Sequence, residues 1–308
     1  MKKKIVVTGA TGLIGKSLVK KLIERNDSVV VLSKKTLQVK QLFANSVEII
    51  EWDYGFDDRL VKALAGVDAV IHLAGANIAS KRWNESYKKT IIDSRTVPTR
   101  NLIKAMQQSN NIPSVFVCAS AVGFYGNTGE KSIAENSPAG NDFLSQVCAV
   151  WEEESSKVEQ LGIRRVSVRT GIVLSTQDGA LKKLLLPFKL FAGGPLGNGK
   201  QWFPWIHIDD EVDIFLHAID NNNLTGAVNA VSPGHLRMKE FASNLGGILK
   251  RPSLFCVPSF VLKIVLGEAA ESILYSQKIK PEKLLNTRFK FKFSSPTEAL
   301  SDLIKNKK

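Results

Sequence analysis

The chain has 308 residues, 44% hydrophobic and 23% charged, the balance of a soluble globular protein with one large α/β domain or a core domain and a smaller appendage. No run approaches the ~18 consecutive apolar residues a membrane span requires, so no membrane partner is expected. The net charge of +13 comes from lysines spread through every segment, without a zinc-finger or RNA-recognition motif. It therefore reads as solvated faces and not a nucleic-acid surface, with a phosphate-bearing partner as the alternative.

The densest basic stretch, residues 278–308, carries nine basic and three acidic residues. Cys118, Cys148 and Cys256 lack metal-ligand spacing. They imply no metal site and a reducing, cytoplasmic setting.

The opening MKKKIVVTGA reads as a first strand, because its apolar run is too short for the core of a secretion leader. TGATGLIG, Thr8 to Gly15, follows, with Gly9, Gly12 and Gly15 at G-x-x-G-x-x-G spacing before the amphipathic helix LIGKSLVKKLIER. Glycine permits the tight turn, lets a pyrophosphate approach the backbone, and lets helix and strand pack closely. The helix N-terminus then offers free N–H groups to phosphate. Gly9, Thr11, Gly12, Leu13, Ile14 and Gly15 are the expected phosphate-binding turn.

The second strand, SVVVLS, runs into Ser33, Lys34 and Lys35, with no acid between Ser28 and Val47 to grip a ribose 2′-hydroxyl. A hydroxyl and two cations suit a 2′-phosphate, so NADP(H) is expected over NAD(H). SVEIIEWD, DAVIHLAG, PSVFVCAS and RRVSVRTG follow as further apolar strands, separated by helical segments such as RLVKALAG and TVPTRNLIKAMQQ. Near-continuous apolar strands between helices indicate an α/β fold, a doubly wound parallel sheet (a Rossmann fold) covered on both faces. DFLSQVCAVWEEES, Asp142 to Ser155, is a helix whose Phe143, Val147 and Trp151 form a buried stripe. Cys148 is the side chain on it with evident chemistry.

Beyond Gly171, a glycine- and proline-rich apolar stretch to Asp210 reads as mobile and substrate-facing. Trp202, Phe203 and Trp205 offer surfaces for ring stacking, or a packed hinge. DDEVDIFLHAID is a helix, GAVNAVS a strand, RMKEFASNLGGILK a helix and VLKIVLGEAAESIL an apolar helix. RFKFKF, Arg288 to Phe293, alternates with period two and reads as a strand with its phenylalanines inward. Residues 1–172, joined by 205–232, are expected to form the nucleotide-binding domain. Residues 173–204 and 233–308 are expected to form a smaller C-terminal, substrate-side domain.

TGATGLIG, VIHLAGA (Val70 to Ala76) and SAVGFYG (Ser120 to Gly126) resemble the extended short-chain dehydrogenase/reductases of the NAD-dependent epimerase/dehydratase family. The stretch from Gly179 to Asp210 is similar to an atypical, 39U-type branch that carries a C-terminal domain of unknown function. The resemblance implies that Asp53 contacts the adenine, that Leu73, Ala74, Gly75 and Ala76 pass the pyrophosphate and nicotinamide ribose, and that Ser120 hydrogen-bonds a substrate oxygen. It places Arg95, Gly197, Gln201, Trp205 and His207 on the substrate side.

It also implies a tyrosine and a lysine on the Asp142–Ser155 helix, where this chain has Leu144 and Cys148. Neither replaces that proton-exchanging pair. Tyr125, Tyr87 and His207 are the alternative donors, Tyr125 being taken with Ser120 as the catalytic pair. Two readings stay open: an oxidoreductase or epimerase acting on a small carbonyl or sugar-nucleotide-like molecule as monomer or homodimer, and an NADPH-binding sensor without turnover.

Overall fold

The computed structural model describes residues 2–306. The first half alternates β1 Lys4–Thr8, α1 Leu13–Glu24, β2 Ser28–Ser33, α2 Thr36–Phe43, β3 Glu48–Glu51, α3 Asp58–Leu64, β4 Ala69–His72, α4 Glu85–Gln107 and β5 Val115–Ala121. Then come β6 Ser132–Ile133, α5 Phe143–Ser156, β7 Arg164–Thr170, β8 Ile172–Leu174, α6 Gly179–Lys189, β9 Trp205–His207, α7 Ile208–Asp220 and β10 Gly226–Ala230. The C-terminal part holds α8 Met238–Leu249, α9 Ser259–Leu266, α10 Ala269–Leu274, β11 Lys278–Ile279, α11 Glu282–Asn286 and α12 Pro296–Ser301.

Seven strands form one sheet in the order β10-β7-β5-β4-β1-β2-β3, every neighbouring pair parallel. The chain leaves β1 in one direction through β2 and β3, then returns to β4 on its other side. That reversal opens a crevice at the carboxyl ends of β1 and β4, where ligands of such sheets bind.

Strand alternation explains the unbroken apolar runs. Ile5, Val7, Val29, Val31, Ile71 and Val117 face one buried cluster with Leu18, Phe215 and Phe241. Val6, Val30, Val70 and Phe116 face the other, with Leu60, Leu102 and Trp151. With both faces covered, polar residues have no side to occupy.

Two elements differ from their sequence patterns. VLKIVLGEAAESIL is broken at Gly267, whose φ of +64° ends α9 before α10 begins. Residues 288–293 form no strand. Phe289, Phe291 and Phe293 do turn toward the core, but among the described residues no other strand pairs with this segment. The carboxylate of Asp210 instead accepts from the backbone N–H groups of Lys292 at 2.7 Å and Phe293 at 3.0 Å. Of the basic C-terminal run, Lys307 and Lys308 lie outside the described residues.

Glu211, on the first turn of α7, is fully buried and accepts from the Thr170 hydroxyl at 2.7 Å. Burial, reinforced by Asp210, raises its pKa from 4.5 to about 8. A raised folded-state value means stability is complete below the unfolded pKa and is lost as pH climbs toward the folded one. His72 acts oppositely, since burial lowers its pKa from 6.5 to about 3 and its contribution fades only below 6.5. Between pH 6.5 and 8 the Glu211 contribution therefore stands apart from that of His72. Urea denaturation across that window is expected to show a decline of up to about 1.4 kcal/mol per pH unit from this group. Glu211→Gln should flatten it; an unchanged slope would clear Glu211 of the effect.

Candidate functional site

The glycine turn is built by close approach. Thr8, at the end of β1, accepts through Oγ1 from the N–H groups of Leu73 and Ala74, each at 3.2 Å, and lies 2.7 Å from His72 Nδ1. This fastens the turn to the loop after β4. Gly9 has φ +72°, and a Cβ there would sit 2.7 Å from the Leu73 carbonyl carbon. A Cβ on Gly15 would meet the Gly9 carbonyl oxygen at 2.2 Å. Both glycines are steric necessities of the fold.

Gly12 is different. Its φ of −78° suits any residue, and a Cβ would meet only the Gly9 oxygen, at 3.3 Å. It is exposed, and it begins α1 without a side-chain cap or an acid in the first turn. The N–H groups at that end, flanked by half-buried Thr11, Leu13 and Ile14, are open to an anion.

The β4 loop that Thr8 fastens to this turn borders a groove of about 720 Å³, lined in part by Lys34, Asp53, Tyr54, Gly75, Ala76 and Ser94. It joins expected site residues from three separate loops. Asp53 Oδ1 accepts from Gly55 N–H at 2.8 Å, shaping the floor. Lys34 Nζ stands 4.0 Å from the centroid of the Tyr54 ring. The backbone at Tyr54 has φ +78°, and its carbonyl accepts from Asn101 Nδ2 at 2.7 Å.

Ser33 Oγ accepts from the N–H of Lys35 at 3.0 Å. Among the described residues neither Lys34 nor Lys35 has a carboxylate partner, and both are exposed. Changing both to alanine is expected to weaken NADPH binding about tenfold and leave NADH nearly unchanged. Titrating each nucleotide against both proteins checks this, and an unaltered NADPH to NADH ratio would count against the lysines.

On α5, Leu144, Cys148 and Glu152 recur at helical spacing along the side that meets Ser120 and Gly123. Burial pushes the Cys148 thiol up to about 11, so it stays neutral and unreactive. Cys148 is the side chain of this helix that the sequence singles out for chemistry, but it is Glu152 that holds the polar network. Ser120 Oγ donates to its Oε1 at 2.7 Å, and Arg169 on β7 forks onto both its oxygens, each at 2.8 Å. The third Arg169 nitrogen donates to Tyr125 Oη at 2.8 Å, and that hydroxyl donates to Asn229 Oδ1 at 2.7 Å. Burial raises the Tyr125 phenol to about 12. Ser120 and Tyr125 do converge, but as members of a buried, fully engaged network; this geometry favours structural pinning of Tyr125 over proton exchange. Tyr87, the other phenol considered, donates to the Asn77 carbonyl outside this network.

The expected substrate segment is packed more tightly than its glycines suggest. Trp205 is 1% exposed and donates from Nε1 to the Gly234 carbonyl at 2.7 Å, so it offers no stacking face. Fully buried His207 caps α7 by accepting from Asp209 N–H at 3.0 Å, and its other nitrogen lies 3.3 Å from Asp302. It is a tether between α7 and the C-terminal helices. Gln201 donates to the Leu196 carbonyl at 2.9 Å, and Gly197, with φ +59°, lies against Leu274. Phe203 packs on Phe241 with centroids 4.6 Å apart. Arg95 lies elsewhere, under the loop at Gly75. A second open basin, about 510 Å³, sits between the starts of α4 and α5, bordered by Lys88, Asp93, Asp142 and Phe143.

A parallel sheet with its reversal at β1, a glycine turn at that point and an open groove alongside define a dinucleotide-binding protein of the Rossmann type. The chain belongs to the NAD dependent epimerase/dehydratase family, whose model matches residues 5–230, and residues 257–303 match a domain of unknown function, DUF1731. It is 37% identical over 305 residues to the chloroplastic epimerase family protein SDR39U1 homolog of Arabidopsis thaliana, covering 96% of this chain and 85% of that one. Against YfhF of Bacillus subtilis, identity is 34% with 99% of both covered. Among solved structures, human SDR39U1 (isoform 2), crystallised with NADPH, matches with a TM-score of 0.88 and 33% identity, over 98% of this chain and 99% of that one.

Proposed function

We propose that this chain binds NADPH in the groove beside Gly12, with its 2′-phosphate at Lys34 and Lys35, and exchanges hydride with a small carbonyl or sugar-nucleotide-like molecule. The observation that carries the reading is an open groove lined by Lys34, Asp53, Gly75 and Ala76, whose β4 loop Thr8 fastens to the uncapped start of α1. The human relative crystallised with NADPH supports the choice of nucleotide.

When bound, the nicotinamide supplies the hydride chemistry. The chain's own contribution is to hold the pyrophosphate on the α1 N–H groups and to shape the loop at Gly75 and Ala76 around the adjoining ribose. The basin at Lys88 and Phe143 would receive the substrate, next to the Leu144 turn of α5.

A sensor role is the second reading, favoured by one observation: Leu144 and Cys148 offer no titrating group near neutral pH, and Tyr125 is fully hydrogen-bonded. Loss of nicotinamide absorbance from NADPH on adding a panel of carbonyl compounds and nucleotide sugars would support hydride transfer. Tight NADPH binding with no oxidation across the panel would support the sensor. No binding of either nicotinamide nucleotide would end both readings.

A further inference from the structure

Among the described residues, the half-buried Arg95 is a cation with no carboxylate partner. It projects from α4 beneath the loop after β4, where a Cβ on Gly75 would come within 3.3 Å of its Cζ. Its Nη1 donates to the Ile91 carbonyl at 2.9 Å and lies 3.5 Å from Ser94 Oγ. Cζ stands 5.1 Å from the centroid of the Trp151 ring. The ionisable groups acting on it are Cys148, Tyr87, Cys118 and the neutral, buried His72, and no carboxylate is among them.

Several other guanidinium groups are neutralised, Arg169 by Glu152 at 2.8 Å, Arg165 by Glu159 and Arg100 by Glu154, each at 2.9 Å, while half-buried Arg164 is instead saturated by the Ala218 and Leu224 carbonyls. Burial pulls the Arg95 pKa downward, yet a guanidinium starts so high that it keeps its proton. A half-buried charge without a counter-charge costs free energy, which an arriving anion or cluster of hydroxyls would offset.

The surroundings hold the group still. Thr99 Oγ1 donates to the Arg95 carbonyl at 2.6 Å and accepts from Trp151 Nε1 at 3.2 Å, so the arginine's own backbone and the ring under its guanidinium are tied together. Pro98 sits in this turn of α4 and supplies no N–H of its own. Gly75, by lacking a side chain, leaves the guanidinium against the loop that borders the groove. Cys148, facing it from α5, is neutral and brings no competing charge.

We propose that Arg95 binds the nicotinamide-side ribose and pyrophosphate oxygens of the dinucleotide, supplying from α4 the positive charge that α5 lacks at Cys148. This rests on the NADPH reading above. A planar group with several fixed donors suits a phosphate or a vicinal diol better than a point charge would. It acts on the half of the cofactor away from Lys34 and Lys35, so its effect is separable from theirs.

The test compares NADPH with adenosine 2′,5′-bisphosphate, which has the adenosine end and lacks the nicotinamide half. Arg95→Met, which keeps an apolar stem against Trp151, is expected to weaken NADPH about tenfold and leave the bisphosphate within about twofold. Arg95→Lys should recover part of the loss. Unchanged NADPH affinity in Arg95→Met would overturn the proposal, and so would equal weakening of both ligands, the mark of a merely structural role.

Should the methionine variant not fold, the unaltered protein answers the question. NADPH is expected to shield Arg95 from phenylglyoxal, read by peptide mass, while the bisphosphate does not. Equal labelling of Arg95 with and without NADPH would overturn it. If the unaltered protein binds neither ligand, the cofactor reading itself has failed, a different result from either of these.

Discussion

Gly12→Val is expected to abolish measurable NADPH binding and leave the fold intact. The backbone at Gly12 is extended, a conformation that suits a β-branched residue, and the added Cβ displaces the Gly9 oxygen by a few tenths of an ångström at most. The valine methyl groups point into the open space where a pyrophosphate would lie against the first N–H groups of α1. A loss of at least about a hundredfold, about 2.7 kcal/mol, is expected in a fluorescence titration.

Gly15→Ala provides the contrast. Its Cβ would sit 2.2 Å from the Gly9 oxygen, so β1 and α1 must separate, and stability falls along with binding. Thermal unfolding distinguishes the two variants. Unimpaired NADPH affinity in Gly12→Val would remove the phosphate from this turn, whatever else the protein binds.

Glu152→Ala is expected to be the most destabilising change on α5. Its carboxylate is 12% exposed and Arg169 is 5% exposed, so neither side of the pair is relieved by solvent. Removing the acid leaves a buried guanidinium uncompensated and the Ser120 hydroxyl without an acceptor. Broken buried pairs of this kind cost about 3–5 kcal/mol. Glu159→Ala is the control: that carboxylate is 50% exposed in its pair with Arg165, and such pairs contribute about 1 kcal/mol or less. Urea denaturation of both variants checks the difference. Equal losses would show that Glu152 is no more than a surface partner.

The sheet and the glycine turn were legible in sequence because their signals are local. Val6 and Val7 face opposite clusters, and each must be apolar wherever helices cover both faces. The spacing of Gly9, Gly12 and Gly15 spans one turn and one helix start. Their separate duties were not legible, since Gly9 is crowded by Leu73 and Gly12 is crowded by almost nothing. The aromatic run ending at His207 misled for a related reason. Trp205 and His207 have side chains suited to ligands, but partners at Gly234 and Asp302 occupy them.

The Glu152 network shows the same limit. Its carboxylate lies one helical turn beyond Cys148, a spacing that could have flagged a shared face, but the partners Ser120 and Arg169 sit on two different strands. The 288–293 segment marks the boundary most plainly. Alternation of aromatic and basic residues marks a backbone whose phenylalanines turn inward, even though Arg288 is left-handed, with φ +58°, and the chain bends at Lys292. Whether that backbone joins a sheet depends on what stands next to it. Here Asp210, about eighty residues earlier, supplies the acceptors. The sequence by itself determined the sheet, the nucleotide turn and the inward faces, all consequences of short-range sterics and periodic burial. Tertiary structure decided which polar groups are already satisfied and which, like Arg95, lie beneath a loop with a carbonyl and no carboxylate beside them, because hydrogen bonds and charges are completed by residues distant in the chain.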